Sequence, residues 1–287
     1  MGAVHLGQIA SFRPIVLHSF FGCTSCANTI RAYQLPVKHV SGRQQSPLFR
    51  WEGFSLPTMV GATTQPPATV LCTSGLAVEA KIARAAGFSV VVGAGDRERT
   101  RALVETAAGR TDCLVSFGIA GGLAPGLKAG TVIVSGDVVS ERQSWSVDAQ
   151  YRDRLSEFAR DIGAIEGPVF GATSVLATQS EKQRAWTTTG ALAVDLESEI
   201  VARAAAALGI PFLVLRTVAD TARRDLPPAS LIPLATNGTP NCSRVFAAVL
   251  RRPFQLAAII GLAHETGLAL SALVGSARAL RAFVGAA

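Results

Sequence analysis

Two acids, Asp195 and Glu197, stand at the mouth of a predicted helix from Ser198 to Leu208, and a third, Asp220, follows an apolar run from Phe212 to Val218. Carboxylates spaced in this way suit general acid–base work, in which one moves a proton while another holds a polar group of the substrate. The helix is alanine-rich, and Gly209 and then Pro211 end it. The run after it, interrupted only by Arg216 and Thr217, reads as a buried parallel strand. In an open α/β sheet, ligands bind beyond the carboxyl ends of the strands, so Asp220 is placed for chemistry. The acids before the helix can face the same pocket. Arg216 is an ion inside a buried strand and needs an acid partner, which these residues supply.

What the chain lacks narrows the chemistry further. Its four histidines, at 5, 18, 39 and 264, all fall outside the predicted sheet, which removes Ser–His and Cys–His catalysis. There is no GxSxG elbow and no GxxxxGK[ST] loop. Gly93-x-Gly95 carries Glu98 at the third glycine position, and no acidic partner follows for a dinucleotide. The five cysteines are odd in number and mostly within apolar runs, which points to a reducing compartment without a disulfide framework. Cys23 and Cys26 form a CxxC with neither a second pair nor a histidine at ligand spacing, so no metal is expected. Carboxylates and glycines remain. Gly118 to Gly122 reads as a loop after a strand, with N–H groups free to meet an anion or a sugar oxygen.

These residues need a scaffold, and the pattern around them is α/β. Ala68 to Thr73, Ser89 to Val92, Cys113 to Phe117 and Thr131 to Val139 read as strands. Helices are expected over Leu76 to Ala86, from Asp96 to about Ala108, over Tyr151 to Ile162 and over Glu181 to Thr187, with Pro168 to Ala177 extended. Strand–helix alternation at this spacing implies a mixed, mostly parallel central sheet flanked by helices. Thr221 to Asn241 carries four prolines and reads as a loop near the site. Two helices broken near Pro253 close the chain. The second, Phe254 to about Phe283, shows apolar or small residues at 256, 259, 260, 263, 267, 270, 274 and 277. His264 and Glu265 interrupt it, which makes it a poor membrane span and a better packing or interface helix.

With 49% hydrophobic residues, the 287-residue chain has enough apolar material for a large core. The net charge of +7 sits at the ends. Residues 1–58 hold five Lys/Arg against one acid and 250–287 hold four against one, leaving 18 of each in 59–249. A neutral centre argues against a nucleic-acid groove, and basic ends favour an acidic surface. Residues 1–65 read as a poorly structured extension, with Met59 as an alternative start. The folded domain is expected over 66–250, followed by the C-terminal helix over 251–287.

The segments SFGIAGGLAPGLKAGTVIVSGDVV, AVDLES and FLVLRTVAD, in this order, resemble the nucleoside phosphorylase/nucleosidase superfamily. The similarity is greatest to its methylthioadenosine/S-adenosylhomocysteine nucleosidase branch and covers about Ala68 to Leu250. DLPPASLIPL, NGTPNCSRVFAAVLRRPFQL and the helix after them resemble the hopanoid-associated phosphorylase subfamily, linked to removing adenine from adenosylhopane. The resemblance implies cleavage of an N-glycosidic bond. Asp220 then matches the general acid that protonates adenine at N7, Glu197 the group that holds the ribose hydroxyls, and Glu79 the carboxylate that orients water. Asp195 would be structural. The substrate-binding positions implied are Gly118, Ile119, Ala120, Gly121, Val175, Leu176, Leu196 and Glu197.

Several positions depart from the nucleosidase pattern. Ile119 replaces a serine, Leu196 a methionine, Ala219 a serine, and Val175 with Leu176 an aromatic. The pocket is therefore more aliphatic, which suits a bulky apolar 5′ group. Ser116 and Phe117 stand where phosphorylases carry an arginine, which favours water over phosphate as co-substrate, although Arg97 and Arg99 keep phosphate open. No other cofactor is implied. The expected partner is a lipid-linked nucleoside met by a cytoplasmic homo-oligomer at the inner membrane, with methylthioadenosine/S-adenosylhomocysteine cleavage or a non-catalytic nucleoside sensor as alternatives.

Overall fold

A computed structural model describes residues 69–285. The expected N-terminal extension, Met59 and the Cys23–Cys26 pair lie outside the described residues.

The elements run β1 (Val70–Ser74), α1 (Ala77–Ala85), β2 (Ser89–Val92), α2 (Arg97–Ala107) and β3 (Cys113–Gly122). Then follow β4 (Val132–Ser135), β5 (Asp137–Val139), β6 (Ser144–Ser146), α3 (Ala149–Asp161), β7 (Ile165–Glu166) and β8 (Val169–Gly171). The chain continues as α4 (Gln179–Thr189), β9 (Ala193–Asp195), α5 (Ser198–Leu208), β10 (Phe212–Asp220), α6 (Cys242–Arg251) and α7 (Leu256–Gly285). All ten strands join one sheet in the order β6-β5-β8-β9-β3-β10-β4-β7, with β1 on β3 and β2 outside it. Six pairings are parallel, while β10–β4, β3–β9 and β5–β6 are antiparallel. The sheet is mixed and mostly parallel, as the alternation of elements predicts.

Three local expectations change. Gly118 to Gly122 is strand rather than loop. It pairs with β10 from Gly118↔Arg216 to Gly121↔Asp220, and Gly121 and Gly122 also pair with β9. Partners on both edges come from residues more than seventy positions later, so tertiary pairing overrides the local glycine signal. Thr131 to Val139 splits at Gly136, where a Cβ would meet Val147 Cγ2 at 2.5 Å. Ser135 Oγ bridges the break, accepting from Asp137 N and donating to its carbonyl. Asp220 is the last residue of β10 rather than the residue beyond it.

Side-chain alternation along β3 and β10 divides the core. Cys113, Val115 and Phe117 with Leu213 and Leu215 pack toward α1, α3 and α7. Leu114 and Ala120 with Phe212, Val214 and Val218 pack toward α5. Arg216 shares the second face by parity, as does Ser116.

Helix α7 reverses its expected orientation. Its buried stripe is Leu262, Ala269, Leu273, Ser276, Ala277, Leu280 and Val284. Of the apolar stripe read from sequence, only Ala277 is buried. A helix this apolar on every side gives no periodic cue to its inner face. Pro253–Gly285 is long and apolar enough to cross a membrane, with mean hydropathy 1.6 over a window that is 11% buried. Leu273, Ala277, Leu280 and Val284 nevertheless belong to the main core with Phe117 and Leu215.

Leu273→Ala is expected to destabilise the fold by about 2–5 kcal/mol, since it empties a fully buried site. Urea unfolding of the purified variant measures this; an unchanged midpoint would show that α7 is peripheral.

Candidate active site

Glu79, Asp195, Glu197 and Asp220 converge at the carboxyl ends of β1, β9 and β10. Glu79 lies in the first turn of α1, Asp195 ends β9, Glu197 precedes α5 and Asp220 ends β10. All four are buried. Glu79, Asp195, Glu197 and Asp220 line one cavity of about 200 Å³ with Gly75, Leu76, Gly95, Ile119, Ala120, Gly121, Val194, Leu196, Arg216, Ala219 and Leu234. Roomier clefts exist elsewhere, but the one between α2 and α5 holds Glu105 as its sole acid.

Each acid is held by identifiable donors. Glu79 Oε2 accepts from Gly75 N (3.0 Å) and Leu76 N (2.7 Å), and Oε1 accepts from Ile119 N (2.8 Å). The first two bonds satisfy orphan amides at the start of α1, so helix capping fixes the carboxylate. The Ile119 amide is thereby committed to Glu79, which corrects its reading as a free donor for ligand. Asp195 Oδ1 accepts from Glu197 N (3.0 Å) and Ser198 N (2.7 Å), so it caps α5 and serves structure.

Arg216 joins these acids. Its Nη2 donates to Glu197 Oε2 (3.0 Å) and Ser116 Oγ (2.6 Å), and its Nη1 to the Ile119 carbonyl (3.2 Å). Nε lies 2.8 Å from Asp195 Oδ2, an ion pair without hydrogen-bond alignment. The partner expected for the buried arginine is therefore Asp195 and Glu197 together. Glycine makes the approach possible: a Cβ on Gly118 would fall 2.5 Å from Glu79 Cδ and 2.8 Å from Arg216 Nη1.

Burial pushes the Glu79 carboxyl up to about 7, with Glu197 adding to the rise and Arg216 and the amide donors opposing it. Glu197 is also raised, chiefly by burial, against the pull of Arg216. Asp220 is raised by burial despite the ammonium of Lys182 beside it.

Lys182 is the buried partner of Asp220 that sequence reading missed. It is fully buried, pairs with Asp220 Oδ2, and donates to the carbonyls of Thr221 (3.0 Å) and Arg224 (2.8 Å). Helix α4 presents it because Thr178 and Glu181 form a capping box that fixes the start. Between Glu181 and Gln183, nothing local distinguishes it from a solvated lysine. Arg224 in turn pairs with Glu265 of α7.

Of the expected binding residues, Ile119, Ala120, Gly121, Leu196 and Glu197 line the cavity, and Gly118 abuts Glu79 behind it. Val175 and Leu176 are not brought there. Val175 is exposed, and Leu176 lines a neighbouring cleft with Phe170 and Arg184. Arg97 donates to the carbonyls of Ala172 (2.8 Å) and Leu196 (3.1 Å) and pairs with Glu199, so its guanidinium is already engaged.

The family model described as the phosphorylase superfamily matches residues 70–251, which spans the sheet and every residue of this cavity. The chain belongs to the phosphorylase superfamily, a class of enzymes. Among solved structures, it is similar to S-adenosylhomocysteine nucleosidase from Streptococcus pyogenes in complex with 5-methylthiotubericidin. That match has 16% identity and a TM-score of 0.50, covering 75% of this chain and 99% of the other. It is also similar to 5′-methylthioadenosine/S-adenosylhomocysteine nucleosidase from Neisseria meningitidis in complex with methylthio-immucillin-A, at 17% identity and TM-score 0.48, with coverages of 75% and 99%. A third match is futalosine hydrolase of Helicobacter pylori, at 14% identity and TM-score 0.47, covering 73% and 98%. No curated protein sequence matches the chain significantly.

Two outcomes follow from the electrostatics. The folded protein holds the Glu79 proton up to about pH 7, whereas the unfolded chain releases it near 4.5. Between these values the unfolded state binds fewer protons, so Glu79 makes stability fall as pH rises, by up to about 3 kcal/mol. Urea midpoints from pH 4.5 to 7.5 should show a weaker fall in Glu79→Gln than in wild type; parallel curves would place the Glu79 titration elsewhere. Lys182→Met removes the ammonium that opposes the burial-driven rise of Asp220 and empties a fully buried polar site, and is expected to destabilise the fold by about 3–5 kcal/mol. Urea unfolding should show that cost shrinking as pH falls, because protonation of Asp220 removes the need for a cation, and in the double variant with Asp220→Asn.

Proposed function

We propose that this enzyme cleaves the N-glycosidic bond of a 5′-substituted adenosine and releases adenine. The observation that carries the reading is the convergence of Glu79, Glu197 and Asp220, from three separate segments, on one cavity. Bond cleavage leaves negative charge on the departing base and positive charge on the sugar. Asp220 stays protonated more readily than a free aspartate because it is buried, and a neutral carboxyl is the form that can donate to the base. Glu197, oriented by Arg216, offers acceptor oxygen to ribose hydroxyls. Glu79, with one oxygen held by a single amide, keeps a lone pair for water.

Water is the nucleophile in this reading. Arg216, the cation in the cavity wall, is committed to Asp195 and Glu197, and Arg97 to Glu199 and two carbonyls. Neither guanidinium is free to receive a phosphate.

The 5′ substituent is proposed to be a hopane, so that the substrate is adenosylhopane met at the inner membrane by a cytoplasmic homo-oligomer. Leu76, Ile119, Val194, Leu196, Ala219 and Leu234 give the cavity an aliphatic wall, and the C-terminal segments resemble the hopanoid-associated subfamily. Adenine release from adenosylhopane and from methylthioadenosine, each with and without phosphate, tests this by chromatography. Asp220→Asn is expected to lower kcat about 10²–10⁴-fold. Phosphate-independent release that prefers adenosylhopane supports the reading. Preference for methylthioadenosine reassigns the 5′ group, phosphate dependence reassigns the nucleophile, and no release from either substrate overturns it.

A further inference from the structure

Beyond the cavity, the described residues expose one contiguous chain segment of large apolar side chains. Phe246 is 58% exposed, Leu250 65%, Phe254 79%, Leu256 51% and Ile260 54%. They fall on α6, on the short turn Pro253–Gln255 and on the first turns of α7. No residue of α6 is buried, although Val245, Phe246, Val249 and Leu250 share one helical face. Isolated exposed leucines need no explanation, but five large apolar groups within fifteen residues do.

The segment is not a frayed end. Gln255 is buried, and its side-chain oxygen accepts from Ala229 N (3.1 Å), pinning the Pro253–Gln255 turn to the turn Pro228–Leu231. Phe254 is thus held outward from an anchored backbone. Farther along, Arg224 pairs with Glu265, and Leu262 begins the buried stripe of α7.

Charge identifies the occupant. Arg244, Arg251 and Arg252 are exposed beside the apolar side chains, and no Asp or Glu occurs from Cys242 to His264. A second copy docked through this surface about a twofold axis would set like charges against each other. An anionic bilayer accepts both features, since apolar side chains enter the headgroup boundary while arginines meet lipid phosphates. The arginine stems also let the charged ends stay in the polar layer.

We infer that α6, the Pro253–Gln255 turn and the start of α7 form a docking surface for an anionic bilayer, with Phe246, Leu250 and Phe254 as the inserting residues. The surface acts whatever nucleoside the enzyme cleaves. It also lies close in the chain to the cavity: Leu234 lines that cavity, and the same segment packs through Gly238, whose carbonyl accepts from Ala77 N (2.9 Å).

The test is co-sedimentation of the full chain with substrate-free vesicles, one set of phosphatidylcholine alone and one with a third phosphatidylglycerol. Wild type is expected to bind the anionic vesicles at least tenfold more tightly than the neutral ones, and less tightly as salt rises. Leu250→Ser/Phe254→Ser and, separately, Arg251→Gln/Arg252→Gln should each weaken that binding tenfold or more. Thermal unfolding should stay unchanged, since these side chains are exposed. Absence of wild-type binding, equal affinity for both vesicle types, or undiminished binding by the variants would overturn the inference. So would light scattering in which the serine variants lose an oligomer that wild type forms without lipid. None of these readouts uses adenine release, so failure of the catalytic reading and failure of this one are separable.

Discussion

The Arg216 guanidinium is the constraint on which the rest of the site depends. It is fully buried within the longest pairing in the sheet, β3 with β10, and a buried cation without partners is not tolerated. Asp195, Glu197, Ser116 and the Ile119 carbonyl supply them. Burial alone would pull the arginine toward neutrality, but Asp195, Glu197 and Glu79 outweigh it and hold the guanidinium charged. Fixing Arg216 therefore fixes two of the acids in the cavity, and the glycine opposite it, Gly118, admits the third. The ion cluster explains the glycine at 118, where a side chain would occupy the space of Glu79 and the guanidinium, whereas a Cβ on Gly121 or Gly122 would first meet Val194 or Val218.

The same cluster leaves an imbalance. Four buried acids share Arg216 and Lys182, and the carboxyls of Glu79, Glu197 and Asp220 are all raised by burial. Each partner cation opposes that rise without cancelling it. Burial thus penalises the ionised carboxyls, and a ligand that becomes positively charged offsets that penalty. In the proposed reaction the sugar does so as the base departs, and Asp220 holds a proton for that base. The surplus of acid is thus matched to the charge that would develop, which a site with paired charges would not be.

What the sequence revealed divides along local and non-local lines. The strand Ser89–Val92 and the helix Ser198–Leu208 have their expected limits, because apolar periodicity and the Gly209 stop are written in consecutive residues. Asp195, Glu197 and Asp220 stand out in consecutive residues around one helix and one strand, whereas Glu79 is named only through the resemblance and is brought beside them by the fold. Gly118 to Gly122 was not legible as strand, since its partners arrive from β9 and β10. Lys182 was hidden for a related reason: its burial is decided by Asp220 and the Thr221 and Arg224 carbonyls, thirty-eight or more residues away. The inner face of α7 was ambiguous because leucine and alanine surround the helix, and only packing chooses among them.

That choice gives α7 an unusual reach. Its C-terminal half is core, with Leu273 and Leu280 fully buried beneath β3 and β10. At its middle, Glu265 pairs with Arg224, whose carbonyl receives a hydrogen bond from Lys182, the ammonium that holds Asp220. At its start, Leu256 and Ile260 face outward beside Phe254. One helix thereby ties the exposed apolar surface to the acid through two ion pairs and a single lysine. Arg224 Nε and Glu265 Oε2 are buried without partners, so this joint is the least satisfied polar contact in the series. The stripe from Leu273 to Val284, by contrast, is closely packed in the core. The Arg224–Glu265 contact is thus the polar joint between α7 and the loop that carries the Lys182 acceptors.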